Sequence, residues 1–125
     1  MSINNDINLI SQSISDDLIR FLRDIIAIPS PCGKEEMVVQ RIKQEMELIG
    51  YDSIHIDKMG NVIGTIGSGD RTITFDGYCD TVKAGNLNNW HCDPFQGEFK
   101  NGLIFGRGAA DQKGGLASAV YAGKL

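Results

Sequence analysis

The spacing of apolar residues changes at Gly50, and that change decides the fold class. Before it, Leu18, Leu22, Ile25 and Ile26 fall on one helical face, with Arg20, Arg23 and Asp24 turned away. Ser15 is a good N-cap for this helix, and Asp16 and Asp17 suit its first turn. Pro29 and Pro31 end it. Residues 1–14 read as a loose leader ahead of it. A second helix is predicted from about Lys34 to Ile49, with the stripe Val38, Ile42, Met46 and Ile49 and with Gly50 as its stop. After Gly50 the runs become short and β-like. Ser53 to Ile56 and Asn61 to Ile66 read as strands joined by a turn at Asp57-Lys58-Met59-Gly60. Thr72 to Phe75 reads as a third strand and Leu103 to Phe105 as a short one. Residues 81–101 show no clear period, and a loop of that length in a compact domain is usually functional. The stretch from about Gly114 to Leu125 is small, apolar and helical in character. Helices, then strands, then a strand–loop–helix unit predict the start of an α/β domain.

Charge and cysteine usage narrow the function classes. The chain has 125 residues, one domain's worth, with 12 Lys plus Arg against 16 Asp plus Glu. A net charge of −4 leaves no basic excess to neutralise phosphates, so nucleic acid is not an expected partner. No Lys or Arg precedes Arg20, and the N-terminus lacks the apolar run of a signal peptide. The apolar run Ile25–Ile28 is far short of the ~20 residues that span a bilayer. Cys32, Cys79 and Cys92 form no C-x-x-C pair and leave an odd count, which suggests a reducing compartment. A cytoplasmic chain with no membrane association is the expectation.

Two segments carry the chemistry. Asp76-Gly77-Tyr78-Cys79-Asp80-Thr81 ends a predicted strand, where ligand sites of α/β sheets gather. Strand alternation places Tyr78 and Asp80 on one face and Cys79 on the other. An ordinary strand end entering a turn fits the same residues. Gly106-Arg107-Gly108-Ala109-Ala110-Asp111-Gln112-Lys113-Gly114-Gly115 is the second segment. Its glycines allow close approach of a ligand, and Asp111 stands just before a helix, either as a cap or as a metal ligand. The spacing of a phosphate-binding P-loop is missing. His55 and His91 have no zinc-site spacing around them, and no cysteine has the basic surroundings of a nucleophile.

Together these segments resemble the N-terminal part of the zinc-dependent peptidase and deacylase family that includes acetylornithine deacetylase, succinyl-diaminopimelate desuccinylase and carboxypeptidases. The resemblance runs from about Leu18 to Leu125. It is carried in order by Leu18 to Leu22, Ile28-Pro29-Ser30, Gly60-Asn61-Val62, Asp80-Thr81-Val82, Trp90, Asp93-Pro94-Phe95, Asn101-Gly102 and Gly106 through Gly115. Gly85-Asn86, Asn89-Trp90 and Val120 to Lys124 are most similar to a subgroup of selenium-metabolism-linked hydrolases.

The resemblance implies an aminopeptidase-like α/β zinc hydrolase catalytic domain, present here as an incomplete N-terminal portion over residues 15–125. It implies hydrolysis of amide or peptide C–N bonds of small acylated amino acids or peptides, by water held between two zinc ions. Asp111 matches the carboxylate that bridges the two metals, and Asp80 matches the one that orients a metal-binding histidine. Tyr78 occupies that histidine's position, and a phenol with a pKa near ~10 is a poor replacement for imidazole. Cys79 faces the other way. The family's general base, remaining acidic ligands and last histidine match no residue of this sequence. The lid-like dimerisation domain of complete members is likewise without a counterpart. The leading expectation is therefore a hydrolase fragment without activity of its own. Two rivals stand beside it: half of a split enzyme completed by a separate C-terminal chain, and a non-enzymatic binding module on the same scaffold.

Overall fold

A computed structural model describes residues 3–124. The first helix, α1, spans Ile3–Ala27. It starts well before Ser15, which corrects the expectation of a loose leader with a cap at that serine. The physical reason is in the sequence. No Gly or Pro interrupts residues 3–27, and Ile3, Ile7, Ile10 and Ile14 extend the stripe of Leu18, Phe21 and Ile25. Only Ile14 of that extension is buried; Ile3, Ile7, Leu9 and Ile10 remain exposed. The second helix, α2, is Glu36–Ile49 and ends as expected on Gly50, whose φ of 94° lets its N–H reach back to the carbonyls of Met46 and Glu47.

Strands β1 (Ser53–Ile56) and β2 (Val62–Thr65) form an antiparallel hairpin in the register Ser53↔Thr65 to Ile56↔Val62. Its turn is organised by Asp57, whose Oδ1 accepts from the N–H groups of Met59 and Asn61. Strand β3 (Glu98–Lys100) pairs antiparallel with β4 (Leu103–Phe105). β3 lies within the stretch that showed no clear period. Its turn is Asn101-Gly102, with φ of 54° and 78°, the left-handed pair that matches the twist of a two-residue hairpin. Gly102→Ala is expected to cost about 1 kcal/mol, because a Cβ is unfavourable at that φ. A thermal melt shifted by a few degrees, with the site below unperturbed, is the check.

Thr72 to Phe75 form no ladder, contrary to expectation: they find no hydrogen-bonding neighbour among the described residues, and Ile73 and Phe75 stay exposed. The last helix, α3, is Gly114–Ala122, and Leu125 lies outside the described residues. The result is the mixed α/β architecture expected of the N-terminal portion of such a domain. No helix among the described residues is long and apolar enough to cross a membrane.

The core sits where α1, α2 and α3 meet. Phe21, Ile25, Ile26, Val38, Ile42, Ala117, Val120 and Tyr121 are fully or almost fully buried there. Tyr51 ties the first hairpin to α3 by donating to the carbonyl of Val120 at 2.7 Å. A polar network, buried at Glu45 and Tyr121 and reaching solvent at Asp24, crosses the three helices. Arg41 bridges Glu45 at 2.7 Å and Asp24 at 2.9 Å, and its guanidinium lies 5.1 Å from the centre of the Phe21 ring. Tyr121 donates to the other oxygen of Glu45.

Candidate functional site

Two tethers bring residues 78–81 beside the turn at 109–113. The buried Ser30, just after α1, donates from its hydroxyl to the carbonyl of Cys79 at 2.7 Å. Its own carbonyl accepts from Thr81 N–H at 2.8 Å. These bonds fix a short extended segment that has no sheet neighbour among the described residues. Alternation holds: Cys79 packs on the core, while Tyr78 and Asp80 line a common cleft.

Lys113 holds the facing turn. Its side chain is 1% exposed, and Nζ donates to the carbonyls of Ile25 and Ile28 at 2.7 and 2.9 Å. Those carbonyls belong to the C-terminal end of α1, where a cation is favoured by the helix dipole and by unpaired acceptors. Burial lowers the Lys113 ammonium to about 8. Gly108 has a φ of 81°, and a Cβ there would lie 2.6 Å from Thr81 Cγ2. The turn and the 78–81 segment can approach this closely only with glycine at that point.

The cleft between them has a volume of about 280 Å³ and is lined by Tyr78, Asp80, Val82, Arg107, Ala110 and Asp111, among others. Arg107 stacks on Trp90, 4.8 Å from its ring centre, and its buried Nε has no partner among the described residues. Trp90 is itself anchored by its indole N–H on the carbonyl of Ala84.

Tyr78 and Asp111 are brought into direct contact. The Tyr78 hydroxyl donates to Asp111 Oδ1, and Tyr78 N–H donates to Gln112 Oε1 at 3.0 Å. The hydrogen bond to Asp111 pushes the phenol above its ordinary range, with burial and the charges of Asp111 and Asp80 adding to it. Asp111 is thus engaged by a neutral O–H donor, the chemistry of a hydrogen-bond acceptor and not of a bridge between cations. Asp111 belongs to no cluster of three His, Cys, Asp or Glu donors among the described residues, and neither histidine does. The residues present therefore do not fit a two-metal centre at Asp111. Asp80 lies instead near Cys32 and Glu35, with one ligand atom from each of the three within 4.8 Å of the others.

Reasoning from sequence singled out Tyr78, Asp80 and Asp111, and the structure gathers all three around one cleft. It held Ser30, Lys113 and Arg107 within quoted motifs but gave none of them a role of its own. The tethering roles of Ser30 and Lys113 gave no local signal, because their partners are 49 and 85 or more positions away.

Comparison with known proteins gives a consistent picture. The pattern of Peptidase family M20/M25/M40 matches residues 75–124, the stretch that holds the cleft. The chain is 50% identical over 128 residues to the uncharacterised protein YgeY of Escherichia coli, covering 100% of this chain and 32% of that protein. It is 31% identical over 116 residues to succinyl-diaminopimelate desuccinylase of Rhodospirillum centenum, covering 87% of this chain and 30% of that enzyme. A probable succinyl-diaminopimelate desuccinylase of Staphylococcus epidermidis is 36% identical over 109 residues, 85% of this chain and 27% of its own length. The chain thus spans about a third of the length of the curated relatives it matches.

Proposed function

The chain belongs to the M20 family of zinc-dependent peptidases and deacylases, and on that premise we propose that it carries one part of an amide hydrolase's catalytic domain and catalyses no hydrolysis alone. The observation that supports this reading is the Tyr78–Asp111 hydrogen bond. In the family's scheme Asp111 would bridge two zinc ions and Asp80 would orient a histidine at position 78. Here a phenol fills that position and satisfies Asp111 directly. Positioning is most of what such a site supplies, and one displaced ligand removes it.

Residues 15–125 are the partial catalytic domain in this reading, with residues 1–14 as an extension. The substrate class of the parent reaction is a small acylated amino acid or peptide. The selenium-linked subgroup and a cytoplasmic location follow from the same residues and thiols as before. The split-enzyme alternative draws support from one feature, the exposed and unpaired stretch with Ile73 and Phe75, which a second chain carrying the missing ligands would cover.

The test is amide hydrolysis of N-succinyl and N-acetyl amino acids by the pure chain with and without added zinc. No rate above the uncatalysed one is expected in either case. Zinc-dependent turnover that is lost in Asp111→Asn would overturn the proposal.

A further inference from the structure

The geometry points to a second donor set, Cys32–Glu35–Asp80, as the place where this chain binds a thiophilic divalent cation of the zinc class. Two separate segments supply it: the loop between α1 and α2, which carries Cys32 and Glu35, and the tethered 78–81 segment, which carries Asp80. The Cys32 thiol and one carboxylate oxygen from each of Glu35 and Asp80 lie within 4.8 Å of one another. Ordinary zinc bond lengths place tetrahedral S and O donors roughly 3.4–3.6 Å apart, so no pair has to close by more than about 1.4 Å. Cys32 is exposed and the two carboxylates are half-buried, so a cation has a way in and solvent can fill the fourth position.

The partners of the two carboxylates argue in the same direction. Among the described residues no hydrogen bond reaches the Asp80 carboxylate. Among the described residues Glu35 accepts only from Gly33 N–H, at 2.8 Å through Oε1, and none of them bonds Oε2. No Lys or Arg of the described residues lies within 4.0 Å of either carboxylate. A divalent ion here would take a carboxylate oxygen from each of Glu35 and Asp80 and balance both charges at once. With Tyr78 in place of a histidine, Asp80 has no imidazole to orient, so its carboxylate is free for this use. On binding, the thiol gives its proton to solvent and the thiolate takes the metal, so one proton is released per ion. A thiolate beside two carboxylates selects a borderline ion over Mg²⁺ or Ca²⁺.

This site does not depend on the family's reaction, and its test separates the two. The reduced 125-residue chain is titrated with Co²⁺ and read by the near-ultraviolet thiolate-to-cobalt charge-transfer band, with Zn²⁺ competition giving the zinc affinity. A saturable band is expected at one equivalent. Cys32→Ser should abolish it, and Glu35→Gln should raise Kd by tenfold or more. Cys79→Ser, Cys92→Ser and Asp111→Asn should leave the band in place. Absence of a band in the unsubstituted chain overturns the proposal. So does a band that survives Cys32→Ser, or one that disappears with Cys79→Ser or Cys92→Ser while Cys32 is intact.

Discussion

Tyr78→His is expected to raise zinc affinity at Asp111 by about ten- to a hundredfold. The estimate rests on which donor is free at neutral pH. A phenol with an ordinary pKa near 10 is ionised in roughly one molecule in 10³ at pH 7, whereas an imidazole with a pKa of ~6.5 is mostly neutral and ready to ligate. Asp111 pushes the Tyr78 phenol higher still, so the fraction available as phenolate is smaller than that. The full thousandfold gain is not expected, because Asp111 and the new histidine are only two ligands. By the family resemblance, Asp80 would accept from the new imidazole's other nitrogen. The measurement is a zinc titration in the Cys32→Ser background, which removes the other donor set. Tyr78→Phe is the informative control. It frees Asp111 without adding a donor, and less than a tenfold gain is expected from it. Equal gains from His and Phe would mean that Tyr78 acts only by blocking Asp111. No gain from His would mean that Asp111 is not poised for a metal at all.

Much of this site was legible in the sequence because its signals are local. Alternation along residues 78–80 placed Tyr78 and Asp80 together, and the glycines around Asp111 marked a turn of close approach. The helix ends at Gly50 and around Pro29 were likewise readable, since each is written in one or two residues. The misses have physical causes. The start of α1 was read from the cap-like Ser15-Asp16-Asp17, but a good capping residue does not end a helix that has no breaker before it. Thr72 to Phe75 have the composition of a strand, yet a strand exists only by pairing, and none of the described residues pairs with them. Leu103 to Phe105 was read as a strand and is β4, but its partner β3 was an avoidable miss, because Asn101-Gly102 just before that strand is a strong local turn signal. Lys113 and Ser30 were out of reach, since the carbonyls they meet are brought near only by the folded helices. Glu45 was hidden differently: it interrupts the apolar stripe between Ile42 and Met46, where a charge looks like an error until its partners are known, Arg41 one turn earlier on the same helix and Tyr121 on α3.

That residue should be the most costly single truncation in the polar network. Glu45→Ala is expected to destabilise the chain by about 3 kcal/mol, near the lower end of what breaking a buried ion pair costs. Glu45 is 1% exposed and accepts from both Arg41 and Tyr121. Removing it leaves a buried phenol without an acceptor and a guanidinium held only by Asp24, with Arg41 Nη1 already unpartnered. Against a typical total of about 5–15 kcal/mol, this should lower the melting temperature by about 10 °C or more. Glu45→Gln keeps an acceptor for the tyrosine and should cost clearly less. The tyrosine adds a pH signature. Burial first, then the hydrogen bond to Glu45, pushes the Tyr121 phenol well above 10. Between 10 and that raised value the unfolded chain loses its proton while the folded chain keeps it. Stability from this group is therefore fully present below about pH 10 and declines as pH rises further. Tyr121→Phe should flatten part of that alkaline decline while leaving the acid side unchanged. Chemical denaturation at pH 7 and pH 10.5 reads both effects. If Glu45→Ala is as stable as the parent at pH 7, the three helices are held by apolar packing alone and the network only fills space. A pH dependence that Tyr121→Phe does not alter would place the alkaline sensitivity elsewhere, at Tyr51 or Tyr78, whose phenols are also raised.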